Sequence, residues 1–272
     1  MSSVTSLTVL GAGNIGTAIA RGLVKAGLLD AGHITLTRRH ADRLTELASE
    51  GFATTVDNKV AVAASDLVVV AVEPGQLDEL LVAAGQAFEP GRHTLVSVVS
   101  GASVADIQRH LKQGVAVVRA MPNTAIAVGE SMTCLAATPD GANGLALAES
   151  VFQAVGTTLV IDEEQMSSAT ALCACGTAFF LRAIRAASQG GIEIGFHSND
   201  ALAMAAQTAK GAAALLLARR LHPEREIDRV TTPRGATISG LNEMEHQGFS
   251  SAMIKGITTS AEKVDRLYKK KD

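Results

Sequence analysis

Three short stretches carry residue types and spacings that could do chemistry. The first is Gly11-Ala12-Gly13-Asn14-Ile15-Gly16, a G-x-G-x-x-G pattern. Its first glycine permits a tight turn, its second lets the backbone approach a pyrophosphate, and its third lets a helix pack close to a strand. Free N–H groups and the positive dipole at the start of such a helix hold the anion. The second stretch is Arg38-Arg39, about 20 residues beyond the last glycine, where a loop selecting NAD carries an acid for the ribose hydroxyls. An acid repels a 2′-phosphate and an arginine pairs with it, so these residues favour NADP over NAD. The third is Thr231-Thr232-Pro233-Arg234-Gly235-Ala236-Thr237, where hydroxyls, a proline and a glycine precede a helix. Free N–H groups there suit a carboxylate. Plainer readings stay open: a glycine-rich turn, solvated arginines and Thr237 as a simple helix cap.

A fourth segment, Arg119-Ala120-Met121-Pro122-Asn123-Thr124, follows a strand-like run. Proline then asparagine at a strand's carboxyl end makes a stiff turn with an amide aimed into the crevice. An ordinary turn is the alternative.

The elements that position these residues are legible in the hydrophobic pattern. Leu7 to Leu10 reads as a strand, with a helix running on from Gly16, and His33 to Thr37 reads as the next strand. Asp66-Leu67-Val68-Val69-Val70-Ala71-Val72 is a continuous β-branched run, as a strand covered on both faces requires. Glu73-Pro74-Gly75 ends it. Further strands are expected at Thr94 to Val98, Val115 to Arg119, Ser131 to Ala136 and Thr157 to Ile161. Helices are expected at Asp42 to Glu50, Val104 to Leu111 and Gly144 to Ala154. This alternation predicts an α/β fold, an N-terminal Rossmann-like doubly wound sheet over residues 1–162. Residues 163–272 show no strand pattern. Met166 to Ala187 and Asn199 to Leu221 are long alanine-rich helical segments, with Ser198-Asn199-Asp200 offering caps for the second. Two more helices begin near Thr237 and Ser250. So much apolar helical surface predicts an all-α domain that buries part of itself against a second copy.

Bulk composition narrows the function classes. The chain has 272 residues, 47% of them hydrophobic, with no Trp, one Tyr and 25 Gly, so its apolar content is mainly aliphatic and alanine. A net charge of −3 gives no reason to expect nucleic acid. The basic end Lys269-Lys270-Lys271 reads as a solvated tail. The N-terminus lacks a signal-peptide pattern. Gln207 and Lys210 interrupt the alanine-rich segment, so no membrane span is expected. Cys134, Cys173 and Cys175 make no disulfide framework, and the seven histidines show no paired metal-ligand spacing, so no metal is expected. Cys173 and Cys175 read as buried small hydrophobes. The chain reads as soluble and cytoplasmic.

Together these residues resemble the pyrroline-5-carboxylate reductase family over nearly the whole chain. Gly11 to Gly16 matches its cofactor loop, and Asp57-Asn58 and Ala71-Val72-Glu73-Pro74 lie at its cofactor-contacting turns. Arg119 to Thr124, followed by Val128-Gly129-Glu130, matches its crevice segment. Val230 to Thr237 is similar to its signature and Gly190 to Gly195 to its interhelix turn. The resemblance implies an N-terminal Rossmann domain, a C-terminal dimerisation domain, dimers that stack into rings, and a substrate loop, Thr231 to Thr237, that closes over the partner's nicotinamide site.

It also implies reduction of 1-pyrroline-5-carboxylate to L-proline with NADPH, NADH being a possible second cofactor. Gly11, Gly13, Asn14, Ile15, Gly16, Arg38, Arg39, Asn58, Val72, Pro74, Met121 and Pro122 are the candidate cofactor residues. Thr231, Thr232, Gly235, Ala236, Thr237 and Asn123 are the candidate substrate residues. Thr237, which can also hydrogen-bond the ring nitrogen, is the catalytic candidate.

Three departures stand out. Arg234 replaces a glycine usual in the signature, Cys173-Ala174-Cys175-Gly176-Thr177-Ala178-Phe179 replaces Ser-Gly-Ser-Gly-Pro-Ala-Tyr, and Glu73 stands where lysine is frequent. The alternatives are a reductase of another cyclic imine or of a 2-hydroxy acid, and a non-catalytic NADP sensor. A hydroxy-acid enzyme of this build needs a catalytic lysine. The one lysine deep in the helical domain, Lys210, reads as snorkelling to solvent.

Overall fold

The computed structural model describes residues 4–138 and 141–268; the Lys269 to Lys271 tail lies outside the described residues. Strand β1 (Leu7–Leu10) turns at the glycines into helix α1 (Asn14–Lys25). There follow β2 (Ile34–Thr37), α2 (Thr45–Ser49), β3 (Ala53–Thr55), α3 (Asn58–Ala63) and β4 (Leu67–Val70). Then come α4 (Leu77–Ala84), β5 (Thr94–Ser97), α5 (Val104–Gln108) and β6 (Ala116–Met121). The sheet is completed by β7 (Ser131–Ala137), α6 (Ala142–Gln153) and β8 (Gly156–Val160).

The strands form one eight-stranded sheet in the order β3-β2-β1-β4-β5-β6-β7-β8. The chain builds outward from β1 to β3, then returns to β4 on the other side of β1. A crevice therefore opens beyond the carboxyl ends of β1 and β4, where a doubly wound sheet binds ligands. This Rossmann-like arrangement matches the expected fold class.

Side-chain alternation splits the core across the two faces. Leu7 and Val9 of β1 and Leu67 and Val69 of β4 pack with Ile19 and Leu23 of α1. Leu10, Val68 and Val70 pack on the other side with Leu77 and Leu81 of α4. Complete burial is worth about 1.5–3 kcal/mol for each large aliphatic side chain, so the sheet is a rigid base for the loops at its edge.

Strand β7 runs antiparallel to β6, with Met121 opposite Cys134. Only residues 122–130 separate them, too few for the crossover that a parallel neighbour needs. Gly129, at φ 76°, closes this connection. Strand β3 is not among the expected strands. Its three residues show no periodicity, and it forms by pairing with β2 at the sheet edge.

Two compact units are present: residues up to Cys175 with the segment from Ser260 onward, and Gly176–Thr259. In the first, α7 (Met166–Ala169) continues into a π-helical turn, Thr170–Cys175, which interrupts the single helix expected there. The terminal segment belongs to this unit too: the Tyr268 hydroxyl donates to Asp78 Oδ1 at 2.6 Å.

The second unit is helical: α8 (Gly176–Glu193), α9 (Ser198–Arg219), α10 (Pro223–Val230), α11 (Ala236–His246) and most of α12 (Phe249–Val264). Gly191 lets α9 pack against α8, since a Cβ there would stand 3.0 Å from Ala201 Cβ. Helix α9 starts from His197 with no side-chain cap, so Ser198, Asn199 and Asp200 do not play the expected capping part. Helix α10 was not expected. It is mostly charged, with Glu226 bonded to Arg219 and Arg229, and Ile227 and Val230 are too short an apolar period to announce it.

The expectation of no span-length helix fails. By length and composition, Glu163–Glu193 and Ser198–Arg219 could each cross a membrane. Gln207 and Lys210 are too few to offset the alanine, leucine and methionine around them. Phe180, Leu181, Leu202 and Leu217 stand exposed on these helices, a surface that suits burial against another copy.

Candidate active site

The crevice is built from the β1–α1 turn upward. Gly11 sits at φ 97°, and a Cβ there would lie 2.6 Å from Val72 Cγ1 and 2.7 Å from the Ala71 carbonyl. A Cβ on Gly16 would run into the Gly11 carbonyl and meet Val9 Cγ1 at 3.0 Å. Gly13 is different: nothing lies within 4 Å of its notional Cβ. Its conformation suits any residue, so the empty space rather than the backbone calls for glycine. Gly13 is also the N-cap of α1, with no side-chain cap and no acid in the first turn. The first N–H groups of α1, at Asn14, Ile15 and Gly16, thus face outward for an anion.

A cleft of about 710 Å³ opens over this turn. Gly11, Gly13, Arg38, Arg39, Asn58 and Val72 all line it. Asn14 lines an adjoining cleft of about 410 Å³ with Gly13, Arg38 and Arg43. Ile15 packs against the core beneath. Pro74 opens a short turn beside the cleft and does not line it.

The rim beyond β2 is cationic. Arg38, Arg39, His40 and Arg43 border the larger cleft. Arg39 lies 3.8 Å from Glu79 and Arg43 3.9 Å from Asp42, both exposed pairs. Among the described residues, no ion pair engages Arg38. Arg43 escaped the sequence reading although it lies one short helical turn beyond Arg39, and that spacing was the available signal.

Thr37 was also missed. Its hydroxyl accepts the Gly11 N–H at 3.3 Å and donates to Asn58 Oδ1 at 2.8 Å, while its carbonyl accepts the Ala12 N–H at 2.8 Å. Asp57 caps α3 through the Lys59 and Val60 N–H groups, which frees Asn58 for this contact.

The crevice segment differs from expectation. Met121 is buried with Ala136 and Met166, and Pro122 is buried beside it. The Asn123 side chain serves its own turn: Oδ1 accepts the Ala125 N–H at 3.1 Å, and Nδ2 donates to the Cys173 carbonyl at 3.2 Å. The amide expected to aim into the crevice holds the π-helical turn instead. Arg119 is 6% exposed and reaches Glu163 at 3.4 Å; burial depresses its pKa. Its place is structural.

In the helical unit, the Thr231 hydroxyl donates to the Ile227 carbonyl at 2.7 Å, and the Gly235 N–H closes a turn on the Thr232 carbonyl at 2.9 Å. A Cβ on Gly235 would stand 2.5 Å from Thr232 Oγ1. Gly235 is the N-cap of α11 and supplies no side-chain cap. Thr237 lies inside the helix, so it is not the cap, and the first-turn N–H groups at Ala236 and Thr237 stay available. Lys210 stands exposed on α9.

Two family descriptions match the chain: "Pyrroline-5-carboxylate reductase dimerisation" over residues 163–267, and "NADP oxidoreductase coenzyme F420-dependent" over residues 6–101. Pyrroline-5-carboxylate reductase 2 of Dictyostelium discoideum is 47% identical over 95% of this chain and 91% of its own length. The chain belongs to the pyrroline-5-carboxylate reductase family. Pyrroline-5-carboxylate reductase 1 of the same organism is 53% identical over 97% of this chain, which spans half (50%) of that relative's length. The structure of a Coxiella burnetii pyrroline-5-carboxylate reductase superposes with TM-score 0.88, at 27% identity, over 98% of this chain and 100% of that one.

Against the family signature, the chain keeps the turn despite losing its glycine. Arg234 takes φ 60°, a left-handed conformation that costs a residue with a side chain about 1–2 kcal/mol. Glycine would adopt it freely.

Proposed function

We propose that the chain reduces 1-pyrroline-5-carboxylate to L-proline with NADPH, the last step of proline biosynthesis. The observation that carries this reading is the 47% identity to a named reductase across 91% of that relative's length. The cleft fits a dinucleotide phosphate on its own geometry: open space at Gly13, an uncapped α1, and Arg38 and Arg43 at the rim. Arginine at that rim supports NADPH over NADH.

The bound cofactor supplies the hydride. The chain's own residues bind and orient. Gly13, Asn14, Ile15 and Gly16 take the pyrophosphate on backbone N–H groups, and Arg38 with Arg39 takes the 2′-phosphate. Asn58 and Val72 form the remaining walls, Pro74 holds the turn beside them, and Met121 and Pro122 pack within the crevice segment. Thr231, Thr232, Gly235, Ala236 and Thr237 cradle the substrate carboxylate at the open start of α11, with Asn123 supporting the crevice. A protonated imine is already electrophilic, so orientation, worth several kcal/mol, suffices without a strong general acid. Thr237 steadies the ring nitrogen as the amine forms.

In this reading residues 1–162 are the NADP-binding domain and 163–272 the dimerisation and substrate-loop domain, a division supported by the dimerisation match starting at 163. The protein works in the cytoplasm as a homodimer or a larger ring, with the exposed faces of α8 and α9 against a second copy, and with no nucleic acid or membrane partner.

The test is loss of NADPH absorbance with 1-pyrroline-5-carboxylate, with NADH run beside it. Rapid loss is expected. Thr237→Ala should lower kcat/KM for the imine roughly tenfold or more, the worth of one hydrogen bond to a charged group, and leave NADPH binding intact. NADPH binding without turnover of the imine overturns the assignment and favours a sensor.

A further inference from the structure

We propose that Cys134 and Cys173 form an oxidisable dithiol, a modification site at which a hydroperoxide converts the two thiols into a disulfide behind the crevice segment. The two sulfurs lie 3.9 Å apart, although 39 residues separate them in sequence. Cys134 sits on β7, opposite Met121 of β6, and is 3% exposed. Cys173 sits on the π-helical turn and is half-buried. A turn of this kind carries an extra residue in the helix and is frequent at functional sites. Bonding requires the sulfurs to approach from 3.9 Å to about 2 Å, drawing the turn toward β7.

Exposure assigns the roles: Cys173 is half-buried and Cys134 is 3% exposed, so a peroxide reaches Cys173 first. The hydrogen bond with Cys134, outweighing partial burial, lowers the pKa of the Cys173 thiol. The same contact, with burial, pushes the Cys134 thiol up. Cys173 is thus the attacking sulfur and Cys134 the resolving thiol. The Cys173 sulfur attacks one peroxide oxygen: an S–O bond forms, the O–O bond breaks, and the departing oxygen takes a proton and leaves as water from hydrogen peroxide, or as an alcohol from an organic hydroperoxide. The Cys134 sulfur then attacks the Cys173 sulfur and gives up its proton. The S–S bond forms, the S–O bond breaks, and the released hydroxide takes that proton as water. The two cysteines lose two electrons and the peroxide gains them.

The neighbours give the bond a consequence. The Cys173 carbonyl accepts the Asn123 Nδ2 hydrogen bond at 3.2 Å, so drawing the turn toward β7 moves the acceptor that orients Asn123. This consequence rests on the proposed part of Asn123 in supporting the crevice; the chemistry of the two thiols does not.

The experiment treats the full-length native protein with hydrogen peroxide and measures intact mass, then maps the peptides without reduction. The expected product has lost two hydrogen atoms, links the peptides of Cys134 and Cys173, and returns to the starting mass with dithiothreitol. Cys175→Ser should keep the link and Cys134→Ser should abolish it. Oxygen addition at Cys173 without a link, or no change in mass, overturns the proposal. The wild-type map decides this even if Cys134→Ser fails to fold. In the oxidised protein the KM for the imine should rise about fivefold, as for the loss of one hydrogen bond, with NADPH affinity unchanged. A linked protein with unaltered imine KM overturns the coupling to Asn123. A wild-type protein that reduces no imine would refute the function while leaving the mass result to stand on its own.

Discussion

The Thr37 hydroxyl joins the glycine turn to Asn58: it accepts the Gly11 N–H at 3.3 Å and donates to Asn58 Oδ1 at 2.8 Å. Thr37 is 2% exposed, so its hydroxyl has Gly11 and Asn58 rather than water as partners. Because Oδ1 is committed to Thr37, Nδ2 is the end of Asn58 left for the cleft. One buried hydroxyl therefore sets both the backbone of the phosphate turn and the aim of a polar wall residue.

Thr37→Val keeps the shape and removes the hydroxyl. It should weaken NADPH binding roughly fivefold, since one hydrogen bond contributes about 0.5–1.5 kcal/mol net. Thr37→Ser should restore binding, and the KM for the imine should stay put in both variants. Fluorescence titration with NADPH reads the effect; unchanged affinity in Thr37→Val would make the hydroxyl a purely structural bond.

The glycines of the loop should separate stability from binding. Gly13→Ala puts its methyl into open space, so thermal stability should hold while the pyrophosphate loses its room and NADPH affinity falls at least tenfold. Gly16→Ala drives its methyl against the Gly11 carbonyl and Val9. Overpacking of that kind costs about 1–3 kcal/mol. Thermal melts of both variants, run with and without NADPH, distinguish the two effects.

Arg38 lines both clefts, with no ion pair among the described residues to compete for it. Arg38→Ala should raise the KM for NADPH by roughly 10- to 100-fold, matching about 1.5–3 kcal/mol for a charge-assisted bond, and leave the KM for NADH unchanged. Arg43→Ala should act in the same direction and more weakly, because Arg43 has Asp42 nearby. Steady-state kinetics with both cofactors checks the pair; equal losses with NADH would remove both arginines from 2′-phosphate recognition.

His93 should make stability fall in acid. It is 2% exposed, its Nδ1 accepts the Glu89 N–H at 2.8 Å, and its Nε2 faces the Val62 carbonyl at 3.2 Å. This arrangement needs a neutral ring protonated at Nε2. Burial, followed by the nearby Arg92 charge, lowers the pKa. The unfolded chain then binds a proton more readily than the folded one. The contribution of His93 is complete above its ordinary value of about 6.5 and is lost as pH falls through the lower folded value. Denaturant melts from neutral to mildly acidic pH should show this decline, and His93→Gln should flatten it.

The sequence by itself determined the local patterns. The glycine spacing, the β-branched run ending at Glu73-Pro74 and the alanine-rich half were enough for the fold class, the cofactor loop and the signature turn, because those features are written in neighbouring residues. Tertiary structure decided which distant residues meet. Thr37 reaches Asn58 because β2 lies beside β1 and α3 starts nearby. The Asn123 amide turns to Cys173 because the π-helical turn offers a carbonyl within 3.2 Å. Cys134 meets Cys173 because β7 runs antiparallel beside β6. Helix α10 forms through a cap and ion pairs, with only Ile227 and Val230 as an apolar period. Periodicity records which face a residue turns to the core. It carries no record of which other segment the sheet order will bring alongside, and the pairings behind the site are made there.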